Sequence, residues 1–395
     1  MAYSPAMETA EIVAGVVVTL AWLWLLTTRG GFWRVHSSDQ CSTWNIGGKL
    51  SAMSHVAVVI PARNEAEYIG RSVGSLLQQD WRGRLSVFVV DDQSADGTAQ
   101  AARAAAADAG KPGALTVIAG KPLPAGWSGK VWAMQQGLEA AAALSPDFFL
   151  FTDADVEHAQ SSVSSLVTIA EAGTCDLASY MVRLHCASTA EKLLIPAFVF
   201  FFFKLYPPRW IADPGRASAG AAGGCILVRP QALAGAGGLE AFRNAVIDDC
   251  ALARAVKRTG GKLWLGLASG TVSLRRYGSF VEIGRMIART AFNQLHHSAV
   301  LLLAALFGLT LLYLAPIALL FTGHTLPVAL GASAWAIMVV ACLPMVRFYR
   351  LNPLWALTLP LASLFYMGAT LWSAIQFWCG RGGQWKGRVQ DRKRK

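Results

Sequence analysis

The sequence is poor in charge. Only 15% of its 395 residues are Asp, Glu, Lys or Arg, while 54% are hydrophobic; a soluble domain carries about 25% charged residues. That shortage excludes a disordered chain, a coiled coil and an ordinary soluble enzyme, because the apolar excess outruns what one globular core buries. Cysteine is also sparse: Cys41, Cys175, Cys186, Cys225, Cys250, Cys342 and Cys379 are scattered, with no Cys-x-x-Cys pair. Their spacing excludes a zinc ribbon and a disulfide framework and fits a reducing compartment. There is no internal repeat, and no low-complexity stretch beyond the alanine bias of residues 99–109.

What is abundant is long apolar sequence. Residues 12–28 are apolar apart from threonines, at the short end of a helical membrane span. Glu8 and Glu11 precede this run, and Arg29 and Arg34 follow it. That order is wrong for a cleavable signal and right for an anchor whose C-terminal side is cytoplasmic. Runs 298–321, 326–346 and 354–378 each exceed twenty residues without a charged side chain, so each is long enough to cross a bilayer. The expected organisation is an anchor at 1–34, a folded domain at 53–276, an interfacial segment at 277–297, a transmembrane region of about three spans at 298–379 and a basic tail at 380–395. The run 193–203, flanked by Lys192 and Lys204, is half a span long and reads as an interfacial helix at 192–206.

Formal charge is +11, from 35 Lys and Arg against 24 Asp and Glu. Residues 381–395 hold seven Lys/Arg and one Asp, or +6 of that total. Such a tail suits anionic lipid headgroups at roughly 1 kcal/mol per residue. No aromatic-basic interleaving or groove-reading motif accompanies it, so nucleic acid is not an expected partner. Strict alternation of the four runs puts this tail outside, against the positive-inside rule, unless one run is re-entrant.

The polar middle alternates strand-like and helix-like segments. Runs 56–60, 85–90, 115–118 and 148–151 are β-rich, and 99–109, 130–143 and 250–258 favour helix. This alternation predicts an α/β fold with a mainly parallel, Rossmann-like sheet. Polar residues gather at the C-terminal ends of the strands, where open α/β sheets bind ligands.

Acidic residues form three clusters: Asp91-Asp92, Asp153-Ala154-Asp155 and Asp248-Asp249. The first two cap apolar strands. Carboxylates so placed repel one another and call for a cation; Mg2+ or Mn2+ takes oxygen ligands and keeps a substrate phosphate. Lys130 follows Gly129 at the start of a helical run, where an anion is favoured. Asp248 or Asp249 also suits a helix N-cap ahead of 250–258. Gly223-Gly224 suits either close approach of a ligand to backbone or a tight turn.

In order, Val59-Ile60-Pro61-Ala62-Arg63-Asn64-Glu65, Val90-Asp91-Asp92-Gln93-Ser94, Gly129-Lys130-Val131-Trp132-Ala133 and Thr152-Asp153-Ala154-Asp155 resemble the inverting family 2 glycosyltransferases of the GT-A fold. Asp248-Asp249 with Leu252 is similar to that family's Glu-Asp-x-x-Leu element, with Asp in place of Glu. A narrower resemblance, to the hopene-associated glycosyltransferases of bacterial hopanoid clusters, lies in Leu123 to Lys130, Ile195-Pro196-Ala197-Phe198, Ala222-Gly223-Gly224-Cys225, Ile247 to Cys250 and Ala288-Arg289-Thr290-Ala291.

The resemblance implies the following roles. Ala62, Arg63, Asn64 and Glu65 line the nucleotide pocket; Asp91 and Asp92 hold base and ribose. Asp153 contacts the nucleotide and helps bind the metal, Asp155 binds the metal, and Lys130 and Arg289 face the diphosphate. Gly223, Gly224 and Asp248 lie on the acceptor side, and Asp249 is the general base. A Gln-x-x-Arg-Trp element of processive members is missing from 285–294, which favours a single transfer. The expected protein is a multi-pass enzyme of the bacterial inner membrane with its catalytic domain in the cytoplasm. It moves one sugar from a UDP-linked donor to a lipid, a hopanoid by resemblance. Polyprenyl-phosphate or ceramide-like acceptors, and a non-catalytic membrane scaffold, are the alternatives.

Overall fold

The computed structural model describes residues 5–34 and 54–382, with 384–385 and 388–389. Cys41, the boundary at Met53 and most of the tail at 380–395 lie outside the described residues. The chain divides into two compact units: residues 1–35, 186–209 and 277–382 make a helical unit, and 36–185, 210–276 and 383–395 a sheet unit. In order along the chain, α1 (Pro5–Thr28) is helical-unit, and the sheet unit then opens with β1 (Val56–Ala62), α2 (Ala66–Leu77), β2 (Leu85–Asp91) and α3 (Thr98–Asp108). It continues with β3 (Leu115–Ala119), α4 (Gly129–Ala142), β4 (Phe148–Thr152), β5 (Val156–Glu157), α5 (Ser162–Ala172) and β6 (Leu177–Arg183).

After α6 (Thr189–Leu205) in the helical unit, α7 (Pro208–Ala212) leads back to the sheet unit with β7 (Cys225–Val228), α8 (Pro230–Gly235), α9 (Asp248–Arg258) and β8 (Leu263–Ser273). The eight strands form one sheet in the order β3-β2-β1-β4-β7-β6-β8-β5. β3, β2, β1 and β4 run parallel, while β7 is antiparallel to both its neighbours. β1 and β4 are buried along their whole length, which explains why they read as unbroken apolar runs rather than alternating ones. Ala62 pairs with Asp91, and Val59 with Phe151 three positions earlier, so the polar ends of β1, β2 and β4 share one sheet edge. α4 is seated on those strands at Gly137, where a Cβ would come within 2.5 Å of Val59; only glycine lets the helix approach so closely.

The helical unit adds α10 (Phe280–Ala288), α11 (Ala291–Gln294), α12 (Ala299–Leu309), α13 (Ala315–Leu319), α14 (Thr325–Phe348) and α15 (Leu359–Trp378). Among the described residues, four helical stretches are long and apolar enough to cross a membrane: 5–28, 299–319, 325–348 and 353–378. α12 and α13 join through a π-helical turn at Thr310–Leu314. There the Trp22 indole donates to the Leu312 carbonyl at 2.8 Å, a partner that an apolar surrounding requires for a loosened backbone. α6 carries a capping box at Ser188 and Glu191, and its Lys204 donates to the Tyr313 hydroxyl at 2.7 Å.

Helix directions follow from these contacts. Trp22 meets Tyr313, and Gly15 lies against Leu319, so α1 is antiparallel to α12–α13. Gly15 also meets Leu330, and Glu8 lies 3.8 Å from His324, so α14 runs with α1. α15 behaves differently. Its Phe280–Phe365, Ser373–Ala288 and Phe377–His297 contacts follow the segment from α10 to the start of α12. The C-terminal end of α15 therefore lies beside the N-terminal end of α12.

Candidate active site

The site assembles at the sheet edge from the ends of β1, β2, β4 and β8 and the starts of α4 and α9. After β1, Asn64 adopts a left-handed φ of 53°. Its amide donates to Ser94 Oγ and its side chain accepts from the Ala95 amide, both at 2.9 Å. Asp92 is wholly buried, 3.6 Å from Arg63, which also donates to the Asp92 carbonyl. Asp91 accepts from the Ser94 amide. Asp96 takes the Ala66 amide and both polar groups of Thr98. Burial raises its pKa, but these bonds outweigh that and lower it overall. The two polar loops after β1 and β2 are thus stitched into one wall.

At the next strand end, Lys130 joins acids that are far apart in sequence. Its ammonium lies 2.8 Å from Asp153 and 3.3 Å from Asp248. Burial works against its charge, yet Asp153, Asp248 and Asp249 prevail and raise its pKa. Ser128 caps α4 and so fixes where Lys130 leaves the helix.

Asp249 sits in the first turn of α9. Its Oδ1 accepts from the Cys250 amide at 2.6 Å and its Oδ2 from the Gly223 amide at 2.7 Å. Burial and the neighbouring Asp248 push its carboxyl up to about 6, against the lowering by Lys130 and the two amides. A poised carboxylate of this kind suits a general base. The N-cap position belongs to Ile247, so neither aspartate caps the helix. Gly223 lies within reach of this cluster: a Cβ there would stand 3.1 Å from Asp249 Oδ2 and 3.4 Å from Lys130 Nζ. Gly224 is held to β4 by a 2.7 Å bond from Thr152 Oγ1 to its carbonyl.

Asp155 and Glu65 meet at a residue the sequence reading missed. Arg275, just past β8, donates to Asp155 Oδ2 at 2.8 Å and to both Glu65 oxygens at 2.8 and 2.9 Å. The only sequence signal for it is the Arg275-Arg276 doublet closing an apolar strand. Burial and Asp153 raise the Asp155 pKa, with Arg275 acting against them.

For a divalent cation the donor chemistry fits, since Asp153 and Asp155 are hard carboxylates at a strand end. Each already faces a basic side chain, and among the described residues no group of three His, Cys, Asp or Glu side chains converges as a ready cage. Arg289 is the C-cap residue of α10, in the helical unit.

Residues 57–234 match Glycosyl transferase family 2. The fold is similar to that of the mannosyltransferase PcManGT from Pyrobaculum calidifontis, solved with GDP-Man and Mn2+. That likeness has 18% identity and a TM-score of 0.52, and covers 93% of this chain and 97% of the other. Mannosyl-3-phosphoglycerate synthase from Rubrobacter xylanophilus matches at 16% identity and TM-score 0.38, over 66% of this chain and 80% of the other. Glucosyl-3-phosphoglycerate synthase from Mycobacterium tuberculosis, with Mn2+ and UDP, matches at 19% and 0.39, over 62% and 80%. No curated protein matches by sequence. The chain therefore has a GT-A-like fold in which residues 57–234 match Glycosyl transferase family 2, together with, among the described residues, four helices long and apolar enough to cross a membrane.

Proposed function

We propose that this protein is a membrane-bound inverting glycosyltransferase that moves one sugar from a nucleotide-sugar to a lipid hydroxyl. The observation that carries the reading is Asp249: a partly buried carboxylate with a raised pKa, held by two amides beside the Lys130 cluster. In the transfer, the acceptor oxygen attacks the anomeric carbon while its proton passes to Asp249. The bond from that carbon to the diphosphate breaks on the opposite face, and the nucleoside diphosphate leaves with both electrons. Lys130 supplies positive charge for the departing phosphates. Asp153 and Asp155 would hold a divalent cation, which when bound neutralises phosphate charge. Arg63, Asn64, Asp91 and Asp92 form the nucleotide wall.

A lipid acceptor is supported by the four apolar helices and by the basic tail. A hopanoid is the acceptor suggested by motif resemblance, with polyprenyl-phosphate and ceramide-like lipids next. Three crossings, by α1, α12–α13 and α14, with α15 re-entrant beside α10, reconcile the helix directions with the positive-inside rule. On this reading the sheet unit and the tail lie on the cytoplasmic side of a bacterial inner membrane. The test is purified protein with Mn2+, labelled UDP- and GDP-sugars and bacterial lipid extract. Wild type yields a lipid-linked sugar and Asp249→Asn does not; equal product from both, or none from either, rejects the reading.

A further inference from the structure

Both carboxylates of Asp153-Ala154-Asp155 are occupied by cations of the chain itself. Lys130 takes Asp153 and Arg275 takes Asp155, each at 2.8 Å. The two arrangements differ in kind. Lys130 is a compact point charge shared among acids, whereas Arg275 is a planar fork with a second, independent anchor. Its Nη2 holds both oxygens of Glu65, which is only 9% exposed at its side chain. Its guanidinium also lies 5.4 Å from the centre of the Tyr68 ring.

Backbone bonds fix this geometry. The Leu274 amide donates to the Asp155 carbonyl at 2.7 Å, and β5 pairs with the end of β8 at Val156–Ser273. The aspartate and the arginine are thus bound together through main chain as well as side chain. Arg275 thus has an anchor in Glu65 besides its bond to Asp155.

We propose that Arg275 is an internal counter-cation that makes metal binding at Asp155 conditional on nucleotide. In the free protein the guanidinium neutralises Asp155, so a divalent ion must displace an ion pair to reach it. A bound nucleoside diphosphate changes the balance, because a hard divalent ion draws much of its ligation from substrate phosphates. Asp155 then exchanges partners, and Arg275 remains on Glu65 with a freed N–H and its charge turned to the added phosphate. Arg275 is in this sense a positioning residue acting through Asp155. The inference rests on reading Asp153 and Asp155 as the metal-binding pair of the proposed enzyme.

The experiment is Mn2+ binding followed by electron paramagnetic resonance on the full-length protein in detergent at fixed pH, with and without UDP or GDP. Wild type binds Mn2+ weakly alone and at least about tenfold more tightly with a nucleoside diphosphate, and Arg275→Met binds Mn2+ alone about tenfold more tightly than wild type. Arg275→Lys, which keeps the charge and loses the fork, falls between them and serves should the methionine variant fail to fold. Equal Mn2+ affinity in wild type and the Arg275 variants overturns the proposal, and so does the absence of Mn2+ binding in all of them. Calorimetry of UDP and GDP in the presence of Mn2+ tests the glycosyltransferase reading separately. If neither nucleotide binds while Arg275→Met still takes Mn2+ alone more tightly than wild type, the enzyme reading and the nucleotide dependence both fail, and only the competition between Arg275 and Mn2+ for Asp155 stands.

Discussion

The Gly223 amide donates to Asp249 Oδ2 at 2.7 Å across 26 positions of sequence. This bond sets one face of the proposed base and leaves the carboxylate aimed past a residue without a side chain. A Cβ at Gly223 would stand 3.1 Å from the same oxygen, tighter than an ordinary contact. Gly223→Ala is expected to move Asp249 by a few tenths of an ångström and to lower kcat by about 10- to 100-fold, as small misplacements at a reacting centre do. Nucleotide affinity should stay near wild type, since Gly223 faces the base. An alanine variant with full kcat would show that the close approach has no catalytic purpose.

Asp249 should show opposed effects on activity and stability. Its folded carboxyl is raised to about 6, from a usual value of 3.8. Ionising it therefore costs stability that begins to appear above the unfolded value and is complete above the folded one, at most about 3 kcal/mol. Asp249→Asn removes that cost, so its melting temperature at pH 8 should equal or exceed wild type, and the advantage should fade as pH falls to 3.8. Activity should drop by about 10²- to 10⁴-fold. A variant both inactive and strongly destabilised at pH 8 would make Asp249 a structural residue.

Lys130 controls where that base titrates. Its charge lowers the Asp249 pKa, so Lys130→Met should move the acid limb of kcat/KM from near pH 6 to higher pH. Nucleotide binding should weaken as well, because Asp153 and Asp248 lose their shared cation. A pH profile that keeps its wild-type limb would disconnect the lysine from the base.

Much of this arrangement is legible in sequence because it depends on strand ends. A buried parallel strand is an unbroken apolar run, and the first polar residues after it must lie at the sheet edge. Asp91, Asp153 and Asp155 are placed by that rule alone. Lys130 follows from a glycine-lysine pair opening a helix. The mixed half of the sheet was less visible, since the short strand β7 and the irregular β8 lack a distinctive period. Arg275 was hidden for another reason: its partners Asp155 and Glu65 lie 120 and 210 positions away, and no local spacing encodes such an ion pair. The fate of α15 was also invisible, because length and hydropathy report whether a helix suits a bilayer and not which neighbours it follows.

Lys257 illustrates a contact that composition cannot reveal. Its ammonium donates to the carbonyls of Trp210, Ile211, Asp213 and Ser218 at 2.7 to 3.1 Å. It closes the C-terminal end of α7 and ties an exposed turn to α9, the helix bearing Asp249. Lys257→Met removes the ammonium that donates to these four carbonyl oxygens, and should cost about 2 kcal/mol. The melting temperature should fall, with new proteolytic cleavage confined to 212–217, whose residues are exposed. The Asp249 acid limb should not move, because Ser179 independently holds Ala222 beside Gly223. Unchanged stability and cleavage would reduce the four contacts to surface hydrogen bonds.

The direction of α15 gives a test of topology. Phe377 stacks on His297 with ring centres 3.9 Å apart, and Ala374 shares a cluster with Phe292 and Leu302 at the start of α12. A helix that ends where α12 begins delivers Arg381 to the end of the helical unit from which α12 starts. Cys379 is exposed immediately after α15 and is a natural probe of that side. In a variant with the other six cysteines replaced by alanine, a membrane-impermeant maleimide should label Cys379 in inside-out vesicles and leave it unlabelled in right-side-out ones. Labelling only in right-side-out vesicles would mean that α15 crosses completely and that the tail violates the positive-inside rule. The re-entrant arrangement would then be wrong, while the sheet-edge chemistry would be untouched.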